Sequence, residues 1–191
     1  MSATASSLQE LAALVRRVDD RQQLGELISR YGVAVDDRDF TAIGRMFAAD
    51  GEFHGVRGRQ AVVDFYRART ATFTTSSHYA NTWHFDFASD ERASGVVNAH
   101  AELCIEGKAV RIALRYHDVY VREEGEWKFL SRQLKFRYVL PFDEVADGIG
   151  QALRVRWPGT APQAAELPDS LPSYQRSRGQ TVAPAAPPVA R

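Results

Sequence analysis

A carboxylate and an imidazole, in two separate segments of the chain, are the residue types needed to move a proton at neutral pH. Asp36 lies near the end of a segment with helical apolar spacing, and His78 opens a segment typical of a strand. A histidine titrates near neutrality and can take a proton from carbon or oxygen. A carboxylate bonded to one ring nitrogen selects the tautomer and stabilises the imidazolium that forms. If the fold brings both residues to one apolar cavity, His78 would be the general base and Asp36 its orienting partner.

Both residues also have ordinary structural explanations. A histidine on a strand is often bonded to the backbone, and an aspartate at a helix end often caps a turn. Of the three neighbouring aspartates, Asp39 is best placed to cap a helix that starts near Phe40, and Asp37 to be solvated. A carboxylate at a helix C-terminus is disfavoured by the helix dipole, so Asp36 needs a compensating group. A cationic His78 would provide this compensating charge.

The composition indicates an ordinary globular domain. The 191 residues are 45% hydrophobic and 25% charged, and 24 basic residues balance 24 acidic ones. We therefore expect neither nucleic acid nor a membrane as a partner. Cys104 is the only cysteine, which excludes an intramolecular disulfide. With no signal-peptide pattern and no apolar stretch near the ~18 residues of a membrane span, we expect a cytoplasmic protein.

Helices come first along the chain. Apolar residues at helical spacing from Leu8 to Val18 predict a first helix. Asp19 and Asp20 can cap a second helix, whose apolar face runs to Val35. Three shorter elements are then predicted, which are a helix over 40–49, a strand over 52–56 and a helix after Gly58.

The second half is rich in strands. Four long strands separated by hairpin-like turns are predicted over 78–88, 93–105, 109–122 and 126–138. Helices followed by a long antiparallel meander predict an α+β domain. Strands of this length should curve strongly, wrap the helices and enclose a pocket.

The C-terminal part has a different composition. Seven of the eight prolines lie from Pro158 onward, and proline is excluded from helix interiors and central strands. We therefore divide the chain into a domain over 1–150 and a Pro/Ala-rich extension over 151–191. Residues 158–191 are predicted to form an extended arm, either disordered or draped over a neighbouring surface.

The order of elements and three local motifs resemble the SnoaL-like branch of the NTF2-like superfamily, which are cone-shaped α+β barrels. The motifs are Tyr31-x4-Asp36, a histidine (His78) at the start of the first long strand, and a last hairpin that contains Trp127. The resemblance covers about residues 8–145 and extends to scytalone dehydratases, bile-acid 7α-dehydratases and hexachlorocyclohexane dehydrochlorinases. In those lyases a helix aspartate and a strand histidine form the catalytic dyad. The resemblance thus implies that Asp36 and His78 are catalytic.

The resemblance also implies roles for three further residues. Tyr31 matches a pocket tyrosine of the bile-acid enzyme, and could polarise a carbonyl, protonate a leaving group or simply be a core aromatic. On a straight helix it lies about 140° from Asp36, so the two share a pocket only if it is wide or the helix end unwinds. Arg132 matches an arginine after the tryptophan of the last strand, and could bind an enolate or pair with a structural acid. His54 lies near a position where some relatives place a pocket-lining aromatic hydroxyl.

Alternation along the predicted strands directs apolar side chains into the pocket. The inward positions include Ala101, Leu103, Leu114 and Tyr116. They predict a dry cavity for a hydrophobic small molecule with an acidic C–H bond or a departing group. Some dehydratases of the resembled group carry a polar residue where Ala101 and Leu103 stand, so this wall is more similar to that of the dehydrochlorinase.

No pattern in the sequence calls for a metal ion or a cofactor. His78 and His84 are six residues apart on one strand, ~20 Å at full extension, which is too far for one ion. Phosphate loops, dinucleotide fingerprints and nucleophile elbows are not found. We therefore expect a cofactor-independent lyase or isomerase of the dehydratase, dehydrohalogenase or cyclase type, with no metal site.

Two other functions fit the same fold, because fold alone does not settle function. One is a non-catalytic partner, such as the small subunit of a ring-hydroxylating dioxygenase, whose cavity is filled by side chains. The other is a module that binds a small molecule without reacting. In each case we expect a homodimer or homotrimer, because the convex sheet face must be covered and Trp83, Phe85 and Phe87 could cover it.

Overall fold

The computed structural model describes residues 2–179 of the chain, with side chains from Ser7 onward. Two helices precede a six-stranded sheet, a third lies between its second and third strands in the chain, and short helices follow it. In chain order the elements are α1 (Ser2–Asp36), α2 (Phe40–Met46), β1 (Phe47–Phe53), β2 (Val56–Arg57), α3 (Arg59–Thr70), β3 (Phe73–Phe87), β4 (Arg92–Ile105), β5 (Lys108–Glu123), β6 (Glu126–Pro141), a 3₁₀ turn (Phe142–Glu144), α4 (Val145–Gly148) and α5 (Pro172–Ser177).

The sheet is open and has the strand order β2-β1-β6-β5-β4-β3. Strands β3 to β6 form the predicted antiparallel meander. Two of its hairpins turn at Glu106-Gly107 and Glu124-Gly125, where both residues have positive φ, as in a type I′ turn. Strand β1 runs parallel to β6, so the sheet as a whole is mixed. The intervening helix and meander supply the long connection that a parallel pair requires.

A single helix, α1, takes the place of the two predicted helices. Asp20 does not cap a helix, because its carboxylate accepts hydrogen bonds from Trp127 Nε1 at 3.0 Å and from Arg122. The prediction of a helix start here is therefore wrong, since a tertiary contact occupies the capping group. Likewise α2 ends at Met46 rather than at Ala49, because the chain from Phe47 pairs with β6.

The two halves of α1 differ in burial. The second half faces the sheet with the buried side chains Leu24, Leu27, Ile28, Tyr31 and Val35. The first half carries apolar side chains that are more than half exposed, which are Leu8, Leu11, Leu14, Val15 and Val18. The helical spacing in the first half thus predicts the helix but not a buried face. Within the described residues, no helix is both long and apolar enough to cross a membrane.

Part of the C-terminal extension packs on the domain. Val155 forms an isolated bridge to β6, and the Leu167 N–H donates to the Phe136 carbonyl at 2.9 Å. Both Val155 and Leu167 are buried. Over 158–179 the predicted arm is therefore draped over the chain's own domain and includes α5. Residues 180–191 lie outside the described residues, and the domain boundary at 150 stays a prediction.

The aromatic residues expected to cover the convex face are mostly occupied elsewhere. Phe85 is buried in the core, and Phe87 packs edge-on against Trp127 with 6.0 Å between ring centres. Trp83 is the one of the three that is largely exposed. The expectation that Phe85 is available for an interface is therefore wrong, because its side chain points to the inner face of the sheet. A homodimer or homotrimer stays a prediction.

Candidate active site

Asp36 and His78 form a doubly hydrogen-bonded pair. Asp36 is the last residue of α1, and His78 lies on β3. Asp36 Oδ1 lies 2.7 Å from the His78 ring Nδ1, and Asp36 Oδ2 accepts the His78 backbone N–H at 2.8 Å. The Asp36 side chain is 22% exposed and that of His78 is 17% exposed. The fold thus brings together the two residues that the sequence analysis named as a dyad.

The charge of Asp36 determines which nitrogen of His78 is basic. Burial alone would raise the pKa of Asp36, but hydrogen bonds from His78 and Ser76 and the charge interaction with His78 outweigh it. The pKa of Asp36 therefore lies below its ordinary value. An ionised carboxylate only accepts hydrogen bonds, so Nδ1 of a neutral His78 must carry the ring proton. Nε2 is then the basic nitrogen.

Arg38 holds the end of α1 against β3. Its Nη1 donates to the Asp36 carbonyl at 2.8 Å and to Ser76 Oγ at 3.0 Å, and its Nη2 donates to the Phe73 carbonyl at 3.4 Å. A cation at a helix C-terminus is favoured by the dipole and pairs with carbonyls that lack a helical partner. Arg38 therefore supplies part of the compensation that the sequence analysis assigned to His78 alone.

Gly32 lets α1 approach β3, and Asp39 starts the helix that follows the turn after α1. A Cβ added at Gly32 would meet the His78 carbonyl oxygen at 3.4 Å, so a large side chain there would hold the helix away from the strand. Asp39 caps α2 as predicted, because its carboxylate accepts the Ala42 N–H at 2.8 Å. The cap starts a new helix directly after the turn that follows Asp36.

An apolar cavity of about 280 Å³ opens beside His78. All five residues that the sequence analysis placed in the pocket line it, which are His54, Ala101, Leu103, Leu114 and Tyr116. His54 is exposed, whereas the other four are buried. The volume lies near the small end of known ligand pockets, so the cavity suits a compact molecule. Among the described residues, no group of three or more His, Cys, Asp or Glu side chains is arranged to hold a metal ion.

Three tyrosines place hydroxyl groups in the cavity wall. The Tyr31 and Tyr66 hydroxyl oxygens lie 2.5 Å apart, and Tyr116 packs edge-on against Tyr31. Burial raises the pKa of all three phenols, so they are protonated at neutral pH and can donate hydrogen bonds. The angular separation of Tyr31 from Asp36 is no obstacle, because Tyr31 lines the cavity itself while Asp36 reaches it through His78.

Arg132 pairs with a structural acid. It is fully buried, and its Nε and Nη2 lie 2.9 and 2.8 Å from the two carboxylate oxygens of Asp118, which also accepts the Tyr120 hydroxyl at 2.7 Å. Its Cζ lies 4.2 Å from the Tyr31 ring centre, behind the cavity wall. Arg132 does not line the cavity of about 280 Å³, but it lines a smaller one of about 200 Å³ that shares Tyr31, His78 and Tyr116 with it. Of the two roles considered for Arg132, pairing with a structural acid is thus the one observed.

Several residues of the cavity wall were not predicted to lie there, including three with large side chains that carry polar groups. Tyr66 and Arg69 lie on α3, and Trp157 lies in the C-terminal extension. The sequence predicts a helix after Gly58 that carries Tyr66 and Arg69, but it assigns no face of that helix to the cavity. The spacing of Tyr66 and Arg69 by three residues was the available signal that both share one face. Trp157 offered no signal, because it lies outside any periodic segment.

The chain belongs to the SnoaL-like domain family, whose pattern matches residues 16–133, more than half of its length. The fold is therefore an α+β NTF2-like cone. The predicted family and the predicted fold class are both confirmed. No curated protein sequence matches the chain. The family includes lyases and also non-catalytic members.

Several solved structures share this fold at low sequence identity. The structure of LinA has a TM-score of 0.65 and 22% sequence identity. The match covers 69% of this chain and 95% of the LinA chain. A second structure is the hexachlorocyclohexane dehydrochlorinase LinA-type3 from Novosphingobium barchaimii LL02. Its TM-score is 0.64 at 20% identity, and the match covers 69% of this chain and 95% of the dehydrochlorinase. A scytalone dehydratase candidate from Novosphingobium aromaticivorans has a TM-score of 0.64 and 18% identity, with coverages of 78% and 99%. At these identities the likeness concerns the fold alone.

Proposed function

We propose that the protein is a cofactor-independent lyase or isomerase that removes a proton from a hydrophobic small molecule. The observation that carries this proposal is the Asp36–His78 pair, whose histidine lines an apolar cavity. The likeness of the fold to a dehydrochlorinase and to a dehydratase candidate supports the same class of reaction.

His78 Nε2 is the proposed general base. It takes the proton from a substrate C–H bond, and Asp36 stabilises the resulting imidazolium through Nδ1–H without itself becoming protonated. The electron pair left on carbon either expels a leaving group from the neighbouring carbon, which is an elimination, or enters an adjacent carbonyl. In the second case the imidazolium returns the proton to another carbon, which is an isomerisation. In a ring closure the enolate carbon instead attacks a second carbonyl carbon of the same molecule, and the imidazolium gives its proton to the alkoxide that forms.

The tyrosines are the proposed donors to the developing negative charge. The Tyr31 and Tyr66 hydroxyls share one hydrogen bond, so one proton of the pair is left for an oxygen or a leaving group of the substrate. The apolar side chains of the wall lower the local dielectric, which strengthens this contact. Arg132 lies against the Tyr31 ring and is assigned a positioning role for that tyrosine, rather than direct contact with the substrate.

The open cavity favours an enzyme or a ligand-binding module over an architectural subunit. A purely architectural member of the family would fill the interior with side chains, whereas about 280 Å³ stays open here. Consumption of the ligand over time separates an enzyme from a module that only binds.

Deuterium exchange into an apolar ketone tests the proposal before the substrate is known. β-Tetralone in buffered D₂O has acidic C–H bonds, whose exchange is followed by proton NMR. The wild type is expected to accelerate exchange, and His78→Ala to lose the acceleration. The matched control is His84→Ala, because His84 is an exposed histidine on the same strand. Equal acceleration by the wild type and by folded His78→Ala would contradict the proposal.

A further inference from the structure

Arg69 is a half-buried cation in the wall of the cavity that His78 lines. It lies on α3 and shares the cavity-facing side of that helix with Tyr66. Among the described residues, its guanidinium has no hydrogen bond and no ion pair. Arg67, two positions earlier, shows the usual arrangement, because it is exposed and pairs with Asp64 at 3.0 Å.

Two aromatic rings hold the Arg69 guanidinium in place. Its Cζ lies 5.2 Å from the ring centre of Phe73 and 5.1 Å from that of Trp157, and both rings line the cavity. Contacts with ring faces orient a guanidinium but supply no protein acceptor for its five N–H donors. Burial lowers the pKa of Arg69, and no acidic neighbour among the described residues offsets this effect. An anion bound in the cavity would supply both the acceptors and the missing counter-charge.

A stacked arginine at a protein surface needs no ligand to explain it. Arg69 differs because three separate segments converge on it: Arg69 comes from α3, Phe73 from the start of β3, and Trp157 from the C-terminal extension. All three side chains also belong to the wall of the same cavity. The cation is therefore oriented, without a partner among the described residues, in a cavity where a small molecule would lie beside His78.

We propose that the substrate of this cavity carries a carboxylate, which Arg69 binds while the apolar body of the molecule lies beside His78. The proposal deepens the proposed function by naming the substrate class, and it rests on that function only for the reaction that follows binding. A single planar guanidinium matches a planar carboxylate through two parallel hydrogen bonds. The remaining wall, including Leu103 and Leu114, suits an uncharged hydrocarbon portion.

Two probes of nearly the same shape but different charge test the proposal. Isothermal titration calorimetry compares naphthoate with naphthamide, whose carboxamide is neutral. The wild type is expected to bind naphthoate about 10- to 100-fold more tightly, the range of a charge-assisted hydrogen bond. Arg69→Gln is expected to bring the two affinities together, mainly by weakening naphthoate. Arg67→Gln, on the same helix but outside this cavity, is the matched control and should keep the preference.

Several results would overturn the proposal. These are equal wild-type affinities for the two probes, a preference that survives in folded Arg69→Gln, or a preference that disappears in His78→Ala and so assigns the anion to the imidazole. The result of the calorimetry test for a carboxylate site can be distinguished from the result of the exchange test for the proposed function. If exchange into β-tetralone fails while the naphthoate preference depends on Arg69, the lyase or isomerase proposal falls and the carboxylate site stands. The reverse result removes only the carboxylate site.

Discussion

Asp36→Asn is expected to slow proton abstraction far more than it destabilises the fold. In the native pair Oδ2 accepts the His78 backbone N–H and Oδ1 faces His78 Nδ1. An asparagine of the same shape can keep the backbone bond through its amide oxygen, but its NH₂ group then faces Nδ1. A donor at that place requires Nδ1 to accept, which moves the ring proton to Nε2. The base would thus be lost from the cavity while the packing is preserved.

The two expected effects differ greatly in size. A positioned general base contributes about 10²- to 10⁴-fold to a rate, so we expect a loss within this range. The stability change is limited, because one hydrogen bond is kept and one charge-assisted bond is replaced by a neutral one. We expect a loss of about 1–2 kcal/mol in the free energy of unfolding. Partial exposure of both side chains keeps this loss small, because water can solvate the altered pair.

The assay is deuterium exchange into β-tetralone, with urea unfolding of the same samples. Asp37→Asn is the matched control, because Asp37 is exposed and follows Asp36 directly. The control should keep the wild-type exchange rate. An Asp36→Asn protein that is folded and exchanges within about 10-fold of the wild type would refute the tautomer argument.

Three further perturbations test the surrounding contacts. Because the pKa of Asp36 is lowered on folding, its ionisation contributes stability above the ordinary carboxyl pKa, and this contribution is lost as the pH falls through the lower folded-state value. Urea unfolding in acid should therefore show wild-type stability falling towards that of Asp36→Asn. Asp118→Asn leaves the buried Arg132 cation without its counter-charge and should lower the free energy of urea unfolding by about 3–5 kcal/mol. Tyr66→Phe leaves the buried Tyr31 hydroxyl without its partner and should lower the free energy of thermal unfolding by about 1–3 kcal/mol. The double variant with Tyr31→Phe should lose less stability than the sum of the losses of the two single variants.

Each of these expectations has a clear contrary result. Parallel pH profiles for the wild type and Asp36→Asn would show that the lowered pKa does not stabilise the fold. An Asp118→Asn loss as small as that of Asp64→Asn, which removes an exposed ion pair, would show that Arg132 finds another partner. Strict additivity of the two tyrosine changes would show that the hydroxyls do not depend on each other.

Much of the dyad and its cavity could be predicted from the sequence, because the relevant directions are local. Alternation with a period of two places Ala101 and Leu103 on the inner face wherever β4 lies in the sheet. The positive-φ turn residues of the hairpins, such as Gly107 and Gly125, set where the strands reverse. The pairing of Asp36 with His78 came from residue types and from the family resemblance, and the geometry of the structure agrees with it.

The partner of Arg132 could not be predicted in the same way, because it depends on a change of register. Near the hairpin the β5 and β6 residues pair as Arg122 with Trp127 and Tyr120 with Phe129, but beyond a bulge Asp118 pairs with Arg132. A shift of one residue moves every later side chain to the other face of a strand. The bulge thus turns Arg132 inward, onto the face of Asp118, which no periodicity in the sequence indicates.

The sequence by itself determined the order of the elements, the inner face of the meander and the residue types of the dyad, because each depends on neighbours along the chain. Tertiary structure alone decided which distant groups meet. Asp20 joins Trp127 instead of capping a helix, and Trp157 folds back from a segment without periodicity to lie on Arg69. Such contacts depend on strand register and on the docking of separate segments, and both are set by the packing of the whole domain.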